Sequence, residues 1–433
     1  MDNNFTVSRL GECKIKSPIQ LSTQKNDERI LHTNSYNEIV DNIEKGRTPI
    51  SFEKAGPKEF LYFEPAKTKA AIVTCGGLCP GLNNVIRGLV VQLWNAYGVK
   101  NILGVQFGFA GLNPESELDF IDLTPDLVDD IHKEGGSILG SSRGKVPPEL
   151  IVDTLERNNI NILFCVGGDG TLRGAHAISQ EVEKRNLKIS IAGVPKTVDN
   201  DIKYITKSFG FESAFTAAQS IILNAHNEAK GVRNGIALIK LMGRDSGFIA
   251  AYAAMAVPDV NIVIVPEMEF DLENEKNTGL LNYLEKRLKN KKHAVIVVAE
   301  GAGQNFFENV DKEKDASGNV IYDDIGIFLR DKIKDYFKKK NIPISIKYID
   351  PSYIIRSIPA NANDSKFCVQ LTTNAVHAAM AGRTDFLVGY WNNAFTLLPI
   401  EEAVVKGKRK RIKIESDFWF NVLEATRQPS SFK

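Results

Sequence analysis

The sequence is poor in cysteine and lacks the features of an exported or membrane-bound chain. Its 433 residues include only five cysteines, too few for a disulfide framework. Cys75 and Cys79 lie four residues apart, but no second pair follows at a spacing typical of zinc ligands. No stretch approaches the ~20 consecutive apolar residues of a membrane helix, and no basic segment followed by an apolar one opens the chain. We interpret the cysteines as reduced thiols and expect a cytoplasmic protein.

The chain also lacks an excess of charge of either sign. It has 54 basic and 53 acidic residues, which gives a net charge of +1. Such a balance produces no overall field that would favour nucleic acid or a membrane surface. We therefore expect the partners to be small molecules and other copies of the chain. The basic run 406–411 is a local exception, which fits a surface turn, an anionic effector site or a subunit contact.

Residues 1–68 differ from the rest because they are polar and contain few long apolar runs. We interpret them as an extension that wraps the folded body or a neighbouring subunit, with a partly disordered arm as the alternative. From Thr68 onwards, short apolar runs alternate with helical stretches. The runs predicted as strands are 70–74, 102–107, 162–166, 189–194, 236–241, 262–265, 294–299 and 386–390. The stretches predicted as helices are 83–97, 172–185, 213–230, 280–292 and 326–340.

The predicted strands are apolar on both faces, as is typical of a parallel sheet covered by helices on each side. Their alternation with helices indicates an α/β protein with two doubly wound, Rossmann-like domains and mainly parallel sheets. In such sheets, ligands bind at the carboxyl ends of the strands. The glycine-rich loops of this chain follow predicted strands, so we expect them to form the binding site.

The loop at 167–171 has the pattern of a polyphosphate cradle. A predicted strand leads directly into Gly167, Gly168, Asp169, Gly170 and Thr171, and a helix follows. Glycines let the backbone approach a phosphate closely, and the helix start presents unpaired N–H groups to the anion. Asp169 adds a carboxylate suited to a magnesium ion that is bound to the phosphates.

A second glycine loop, 76–84, opens the helix that follows the first predicted strand of the body. Its glycines again allow a phosphate to approach, and we expect Asn83 or Asn84 to cap that helix. Taken alone, a loop of this type is as often structural as functional.

Two further loops supply the groups that phosphoryl transfer requires. In 195–201, Asp199 and Asp201 lie two residues apart, and we expect them to share one side of an extended segment. In 242–247, Arg244 offers a guanidinium group beside a glycine. Transfer of a phosphoryl group to an alcohol needs a cradle, magnesium, a cation and a carboxylate that deprotonates the alcohol. The four loops together predict this chemistry.

The motifs Gly-Gly-x-x-Pro-Gly-x-Asn, Gly-Gly-Asp-Gly-Thr, Pro-Lys-Thr-Val-Asp-Asn-Asp and Met-Gly-Arg occur in that order. Together they resemble the 6-phosphofructokinase family, and the resemblance covers roughly residues 69–400. The N-terminal extension and Lys-Leu-Met-Gly-Arg-Asp-Ser-Gly are most similar to the longer branch seen in plants, trypanosomatids and spirochaetes. Diacylglycerol and NAD kinases share Gly-Gly-Asp-Gly-Thr, but this chain also has the other loops, which those kinases lack.

The resemblance implies a glycolytic kinase that transfers the γ-phosphoryl group of ATP to the C1 hydroxyl of fructose 6-phosphate, giving fructose 1,6-bisphosphate and ADP. It implies that Asp199 is the base that takes the hydroxyl proton. Thr197 and Asp201 would orient the hydroxyl and the transferred group. Lys196 and Arg244 would complete the catalytic set by stabilising negative charge.

On the donor side, the resemblance implies that Asp169 holds Mg²⁺ against ATP. Arg143 would neutralise the donor phosphates, and Phe109 would lie beside the adenine. The remaining residues expected to line the polyphosphate are Gly76, Gly77, Gly168, Gly170 and Thr171.

On the sugar side, the resemblance implies that Met242, Gly243 and Arg244 form a substrate loop. Glu300 would be the carboxylate that binds sugar hydroxyls, and Tyr353 and Arg356 would be the pair that recognises the 6-phosphate. Thr197 and Asp199 would contact the sugar as well. Lys347 occupies a position that compact members fill with a cation from a neighbouring subunit, which predicts a homodimer or homotetramer.

Two positions depart from the compact members of the family. Gly235 stands where those enzymes have a second arginine that bridges subunits, so that role does not transfer. Tyr353 replaces the usual histidine, a substitution that belongs to the longer branch.

Two residues bear on the phosphoryl donor, and they point in different directions. Gly170 is the residue of ATP-dependent members, because its missing side chain leaves space for the α-phosphate. Lys196 is the residue of pyrophosphate-dependent members. We expect ATP, with pyrophosphate as the alternative; a catalytically silent, regulatory metabolite-binding homologue is the alternative of another class.

The resemblance also divides the chain into domains. Residues 69–211 and 355–403 would bind the phosphoryl donor, and residues 212–354 would bind fructose 6-phosphate. Residues 1–68 would form the N-terminal extension, and 404–433 a C-terminal segment.

Overall fold

Strands form at the apolar runs that the sequence predicts. The computed structural model of the chain describes residues 4–19, 28–307, 313, 320–405 and 409–433. Every run predicted as a strand overlaps a strand there, although the runs 102–107, 189–194 and 262–265 extend one or two residues beyond theirs. In chain order the strands of the described residues are β1 (Asn4–Phe5), β2 (Ser8–Arg9), β3 (Ile15–Lys16), β4 (Arg29–Leu31), β5 (Ser51–Lys54), β6 (Phe60–Leu61), β7 (Lys69–Thr74), β8 (Asn101–Val105), β9 (Ile121–Asp122), β10 (Ile162–Gly167), β11 (Ser190–Pro195), β12 (Gly235–Leu241), β13 (Ile262–Ile264), β14 (His293–Ala299), β15 (Ser345–Ile349), β16 (Arg383–Thr384), β17 (Phe386–Trp391) and β18 (Ala394–Pro399).

The predicted helical stretches are helical as well. The α-helices of the described residues are α1 (Tyr36–Glu44), α2 (Leu82–Val91), α3 (Pro148–Arg157), α4 (Asp169–Lys184), α5 (Phe211–Lys230), α6 (Phe248–Ala256), α7 (Leu280–Lys291), α8 (Ile325–Lys339), α9 (Ser352–Arg356), α10 (Ala362–Met380) and α11 (Asp417–Thr426). The segment Gln92–Tyr97 continues α2 as a π-helix. In the part of the chain that is described, no helix is both long and apolar enough to cross a bilayer.

The chain divides into two compact units. Unit 1 consists of residues 1–197, 202–210 and 357–409, as far as these are described. It contains a ten-stranded sheet with the order β1-β5-β18-β17-β11-β10-β7-β8-β9, and β4 pairs with β5. The predicted strands β17, β11, β10, β7 and β8 are parallel to one another, which confirms the α/β prediction. The antiparallel neighbours β18 and β9 extend this centre on both sides.

Unit 2 consists of residues 198–201, 211–356 and 410–433, as far as these are described. Its four-stranded sheet has the order β13-β14-β12-β15 and is parallel throughout. The sequence did not predict β15, because this edge strand is only partly buried and its sequence, Ser-Ile-Lys-Tyr-Ile, mixes polar and apolar residues. We keep the assignment of unit 1 to the phosphoryl donor and of unit 2 to the sugar phosphate as a prediction.

The N-terminal extension is part of unit 1 where it is described. Strand β5 pairs with β18 and so adds the extension to the large sheet. A buried ion pair fixes this connection: Arg383 Nη2 lies 2.8 Å from Glu53 Oε1, and both residues are at most 4% exposed. Because removing one partner would leave a buried charge uncompensated, this pair strongly favours the observed pairing over alternatives.

Candidate active site

In unit 1, strand register brings three of the predicted loops to one edge of the sheet. Val166 of β10 is paired with Thr74 of β7 on one side and with Val194 of β11 on the other. The loops that follow these three strands therefore begin side by side. This is the carboxyl edge of the parallel strands, where open α/β sheets bind ligands.

Helix α4 begins in the predicted cradle. Gly168 is its N-cap residue, and Asp169, Gly170 and Thr171 form its first turn. The amide N–H groups of a first turn have no carbonyl partner within the helix, so they are suited to bind an anion. Apart from its chain neighbours and the nearby backbone of its own helix, no described atom lies within 4 Å of the position that a Cβ would take at Gly170. Neither packing nor a left-handed backbone therefore requires glycine at this position.

The first glycine loop is fastened to the loop that carries Arg143. Gly76 adopts a left-handed φ of 84°, its N–H donates to Ser142 O at 3.1 Å, and its carbonyl accepts a bond from the Ser141 hydroxyl at 2.5 Å. Arg143 itself is exposed. These bonds hold the arginine-bearing loop beside the glycine loop.

Lys196 connects the same loops from the end of β11. Its backbone N–H donates to Gly167 O at 2.9 Å, and its Nζ donates to Gly77 O. The residue is only 5% exposed. A buried ammonium group thus lies on the backbone of the first glycine loop, close to both glycine loops of unit 1.

Asp169 faces two arginines that the sequence reasoning missed. Arg173 Nε lies 3.0 Å from Asp169 Oδ2, and Arg409 Nη2 lies 3.9 Å from the same oxygen. The spacing of four residues on one helix could have revealed Arg173, because i and i+4 side chains are neighbours on a helix face. Arg409 is distant in sequence and belongs to the basic run 406–411, which does not by itself point to Asp169.

Phe109 lies in the hydrophobic core of unit 1. It is 8% exposed, and its ring occupies the space that a side chain at Gly174 would need. The exposed aromatic residue of the same loop is Phe107, at 48%. Its ring packs against Gly140, next to the loop that carries Arg143. A contact between Phe109 and adenine stays a prediction, and Phe107 is the more accessible ring.

The prediction that Asn83 or Asn84 caps α2 is wrong. The N-cap residue is Gly81, with φ 97°, so both asparagines lie in the first turn of the helix. Asn83 instead accepts a hydrogen bond from Ile138 N at 3.0 Å through Oδ1 and donates to Glu134 O at 3.3 Å. The side chain thus fixes the loop that precedes Arg143, a distant contact that local sequence does not reveal.

In unit 2, register aligns the substrate loop with Glu300. Leu241 of β12 is paired with Ala299 of β14, and Glu300 N donates to Leu241 O at 2.9 Å. Gly243 has φ 129°, a left-handed value that favours glycine, and its carbonyl accepts a bond from Gly301 N at 3.0 Å. Met242, Gly243 and Glu300 therefore lie together at the carboxyl edge of the second sheet.

The charges of Arg244 and Glu300 interact across this edge. Burial raises the pKa of the Glu300 carboxyl, and the positive charge of Arg244 opposes that shift. Arg244 donates through Nη2 to Val320 O, and its guanidinium lies 4.9 Å from the ring centre of Tyr322. Tyr322 in turn donates to Asp245 Oδ1 at 3.1 Å. The arginine is thus held beside the carboxylate that was predicted to bind sugar hydroxyls.

The segment with Asp199 and Asp201 is turned rather than extended, contrary to the sequence prediction. Asn200 adopts a left-handed φ of 53°, a conformation that asparagine tolerates better than most residues. Asp199 O accepts a bond from the Ser246 hydroxyl at 3.1 Å, and Asp201 O accepts one from Lys410 N at 2.7 Å. Both carbonyls are therefore fixed by parts of unit 2 that are distant in sequence. Thr197 lies in unit 1, where its carbonyl accepts a bond from the Ser208 hydroxyl.

The predicted 6-phosphate pair lies on the short helix α9. Arg356 is 4.6 Å from the ring centre of Tyr353, which is 76% exposed. Lys347 is not brought to the same edge. It is exposed in β15 and paired with Ala237, which lies four residues, or about 13 Å of strand, before the end of β12.

The basic run 406–411 is described only in its last three residues, and 406–408 lie outside the described residues. Arg409 is near Asp169 in unit 1, as stated above. In unit 2, Lys410 Nζ donates to Asn200 Oδ1 at 3.0 Å, and Arg411 Nε donates to Asp245 O at 2.9 Å. The described end of the run therefore contacts predicted site loops and is not a free surface turn.

The phosphofructokinase family model matches residues 69–379, most of the chain. The chain belongs to the phosphofructokinase family. The resemblance seen in the four loops is thereby confirmed, and the matched range contains every predicted site residue.

Several relatives are similar to this chain in sequence over most or almost all of its length. The ATP-dependent 6-phosphofructokinase of Borreliella burgdorferi is 52% identical over 442 residues, covering 99% of this chain and 98% of the relative. The ATP-dependent 6-phosphofructokinase of Amycolatopsis methanolica is 43% identical over 445 residues, covering 99% and 96%. Plant members are similar too: ATP-dependent 6-phosphofructokinase 1 of Arabidopsis thaliana is 46% identical over 88% of this chain and 80% of the relative.

Solved phosphofructokinases share the fold. The pyrophosphate-dependent enzyme of Nitrosospira multiformis superimposes with a TM-score of 0.68 at 19% identity, covering 84% of this chain and 92% of that one. The pyrophosphate-dependent enzyme of Marinobacter aquaeolei gives 0.67 at 20% identity, covering 84% and 93%. These likenesses confirm the predicted α/β fold with Rossmann-like units.

Proposed function

We propose that this phosphofructokinase is the ATP-dependent 6-phosphofructokinase of glycolysis, which converts fructose 6-phosphate and ATP to fructose 1,6-bisphosphate and ADP. The chain is 43–52% identical, over almost its whole length, to two relatives that carry this name. The observation that carries the choice of ATP is the open space at Gly170. Since neither packing nor backbone conformation requires glycine there, the missing side chain is best explained by the room that the donor's α-phosphate needs.

The acceptor step rests on Asp199. Its carboxylate takes the proton of the C1 hydroxyl as that oxygen forms a bond to the γ-phosphorus of ATP, and the bond from that phosphorus to the ADP oxygen breaks. Thr197 and Asp201 orient the hydroxyl and the transferred group. A positioned carboxylate base of this kind typically contributes about 10²–10⁴-fold to the rate. The backbone bonds of Asp199 and Asp201 to Ser246 and Lys410 support this role, because they fix the loop that carries both carboxylates.

The donor residues fit a polyphosphate with a bound magnesium ion. Among the described residues, no three His, Cys, Asp or Glu side chains are placed to hold a metal by themselves. A single carboxylate, Asp169, beside a helix start suits Mg²⁺, which keeps several waters and uses the phosphates as its other ligands. When bound, Mg²⁺ would neutralise charge on the phosphates. Lys196 and Arg143 add positive charge, and the first-turn amides of α4 bind phosphate oxygens.

The sugar residues fit a phosphorylated sugar. Glu300 would accept hydrogen bonds from hydroxyls, and Arg244 would bind the migrating phosphoryl group. Tyr353 and Arg356 would bind the 6-phosphate, where an arginine offers charge-assisted, bidentate hydrogen bonds. Burial raises the pKa of Glu300, and the positive charges of Arg244 and Arg356 oppose that shift.

The test of this function is Asp199→Ser, compared with Asp335→Ser on the exposed face of α8. We expect Asp199→Ser to lower kcat at least about 100-fold while fructose 6-phosphate still binds, because the substitution removes the base and keeps the loop. Turnover is measured by formation of fructose 1,6-bisphosphate and binding by calorimetry. Asp335→Ser should behave as wild type. An unchanged rate in Asp199→Ser would remove Asp199 from the reaction.

One observation favours pyrophosphate as a second candidate donor. The buried ammonium of Lys196 lies on the first glycine loop. The resemblance to the family implies that lysine at this position is typical of pyrophosphate-dependent members. A lysine beside the transferred phosphoryl group stabilises charge with either donor, however, so we give Gly170 more weight and take ATP as the donor. A catalytically silent homologue would be indicated only if neither donor supported turnover.

Assembly as a homodimer or homotetramer is part of the proposal. Lys347 is exposed and lies about 13 Å of strand from the sugar loops of its own unit, so its ammonium is available to a neighbouring copy. Light scattering on the purified chain tests the assembly. The five cysteines, all within the described residues, form no disulfide bond, which supports the cytoplasm as the compartment.

A further inference from the structure

Residues 410–412, near the C-terminus, are hydrogen-bonded to the loop that carries Asp199 and Asp201 and to the carboxylate of Glu267. Lys410 N donates to Asp201 O at 2.7 Å, and Ile412 N donates to Glu267 Oε1 at 2.9 Å. These two amides, which lie two residues apart in the chain, connect the loop of Asp199 and Asp201 with the Glu267 carboxylate. The proposed reaction does not use this carboxylate.

Glu267 also binds the start of α6. Both of its carboxylate oxygens lie 3.1 Å from Gly247 N, the last residue before the helix. Burial raises the pKa of Glu267, and the N–H groups of Ile412 and Gly247 oppose this shift. A Cβ at Gly247 would lie 2.3 Å from Val265, so the close approach requires glycine. The carboxylate thus joins the C-terminal segment to the loop 242–247.

A third bond completes a closed path. The Ser246 hydroxyl, next to Gly247 in the chain, donates to Asp199 O at 3.1 Å. The path runs from Asp199 O through Ser246, Gly247 and Glu267 to Ile412, then along the chain to Lys410 and back to Asp201. All of its members belong to unit 2.

Two side chains of the segment 410–412 add further bonds to this closed path, a hydrogen-bonded ring of backbone and side-chain groups. Lys410 Nζ donates to Asn200 Oδ1 at 3.0 Å and lies 5.2 Å from the ring centre of Phe248. Burial lowers the pKa of Lys410 to about 7. Arg411 Nε donates to Asp245 O at 2.9 Å. The turn of the loop 195–201, which we call the acceptor loop, therefore has hydrogen bonds to the backbone of both aspartates and to the Asn200 side chain between them.

We propose that Glu267 is a positioning residue for phosphoryl transfer, which acts by closing this ring around the backbone of Asp199 and Asp201. The proposal rests on the proposed function, since it assigns Glu267 to the orientation of that reaction's base. Glu267 would not touch the substrate. Through this hydrogen-bonded ring it fixes the carbonyls of Asp199 and Asp201, which flank the turn of the acceptor loop. The carboxylate of Asp199 is then held in a single orientation towards the C1 hydroxyl. Displacements of about 1 Å in such groups can cost ~10²-fold in rate.

The experiment compares Glu267→Ala, Glu267→Gln and a matched control, Glu269→Ala. Glu269 is two residues away, and its exposed side chain pairs with Lys433. We expect Glu267→Ala to lower kcat by about tenfold or more while KM for fructose 6-phosphate changes less than about threefold, since geometry and not binding is lost. Glu267→Gln keeps one oxygen acceptor for both amides and should recover most of kcat. Glu269→Ala should match wild type.

Hydrogen exchange provides a readout that needs no activity. The amide of Lys410 bonds to Asp201 and not to Glu267, so a closed ring predicts that Glu267→Ala accelerates its exchange at least about tenfold. Wild-type exchange at Lys410, or a wild-type kcat, in a folded Glu267→Ala protein would overturn the proposal even if the wild-type chain is a fully active kinase. If instead the wild-type chain shows no turnover, the proposed function fails. Faster exchange of the Lys410 amide in Glu267→Ala would then show only that Glu267 links these loops structurally, without a role in phosphoryl transfer.

Discussion

Lys240 Nζ lies 2.6 Å from Asp324 Oδ2 and, on its other side, 2.9 Å from Asp350 Oδ2. Each aspartate also accepts hydrogen bonds from the start of a helix. Asp324 Oδ1 accepts bonds from Gly326 N and Ile327 N at the start of α8, and Asp350 Oδ1 accepts one from Ser352 N at the start of α9. Lys240 is the penultimate residue of β12, just before the substrate loop. One nearly buried cation thus joins that loop to the helix of the predicted 6-phosphate pair.

We expect Lys240→Met to weaken fructose 6-phosphate binding and to lower stability. Burial alone would lower the pKa of Lys240, but hydrogen bonds to Asp324 and Asp350 raise it, so the ammonium is charged in the native state. Breaking a fully buried pair costs ~3–5 kcal/mol, and since these carboxylates are about one-third exposed we expect roughly 2 kcal/mol. KM for fructose 6-phosphate should rise about tenfold or more and KM for ATP little. Steady-state kinetics and thermal unfolding measure these effects.

Lys338→Met on the exposed end of α8 is the control for that experiment and should leave both quantities unchanged. Equal increases in both KM values, without a preference for the sugar, would contradict a link between Lys240 and the 6-phosphate pair.

Gly170→Asp should impair ATP as a donor without unfolding the protein. Beyond the chain neighbours and the backbone of its own helix, a Cβ at this position meets no described atom within 4 Å. An acidic residue in the first turn of a helix is also favourable, so the melting temperature should not fall. The carboxylate would lie beside the donor phosphates, and we expect kcat/KM for ATP to drop about 100-fold or more. Gly170→Ala separates bulk from charge and should lose less. Wild-type ATP kinetics in Gly170→Asp would show that the open space does not serve the donor.

Asp169 and Arg173 should affect the magnesium requirement in opposite directions. Asp169→Asn removes the proposed ligand charge, so the Mg²⁺ concentration for half-maximal rate should rise about tenfold or more. Arg173→Gln removes a cation 3.0 Å from that carboxylate, so less Mg²⁺ should be needed. The pair is partly exposed, and its loss should change stability by less than about 1 kcal/mol. Glu183→Gln on the same helix is the control, and shifts of equal sign in Asp169→Asn and Arg173→Gln would refute this arrangement.

His377 should make the protein less stable in mild acid. Burial lowers the pKa of His377 to about 4, and its Nδ1 is hydrogen-bonded to Tyr97 OH at 2.6 Å. Because the unfolded chain protonates this imidazole near pH 6.5, stability is lost as the pH falls from 6.5 towards 4, by about 2 kcal/mol at pH 5. His377→Gln keeps an acceptor for Tyr97 and removes the titration. The wild-type melting temperature should therefore fall more than that of the variant between pH 7 and 5; parallel curves would rule the shift out.

The central elements of the fold can be predicted from the sequence because their signals are local. Fully buried runs such as Ile162–Gly167 are apolar on both faces, and the glycine loops follow them directly. The edge strand β15 of the second sheet is less apolar and carries a weaker signal. Asn83 was misassigned as a cap, because the helix begins with Gly81 and the side chain binds a loop fifty residues away, a choice that only tertiary structure decides.

The residues that carry the chemistry are visible in the motifs, and those that hold them in place are not. Asp199 and Arg244 stand in recognisable patterns, whereas Glu267 lies in a segment with no such pattern, and the basic run that contains Lys410 does not reveal which loop it contacts. Asp201 illustrates the limit: its spacing from Asp199 suggested an extended segment, but the left-handed Asn200 and the bond to Lys410 produce a turn. Positioning contacts of high sequence separation become apparent only in the folded chain.

The most direct test of the proposed function is the formation of fructose 1,6-bisphosphate by the purified chain with Mg²⁺ and fructose 6-phosphate, with ATP in one reaction and pyrophosphate in another. We expect turnover with ATP and none with pyrophosphate, as the open position at Gly170 requires. Turnover with pyrophosphate alone would contradict this and make Lys196 the deciding residue. Silence with both donors would instead point to a regulatory, metabolite-binding homologue.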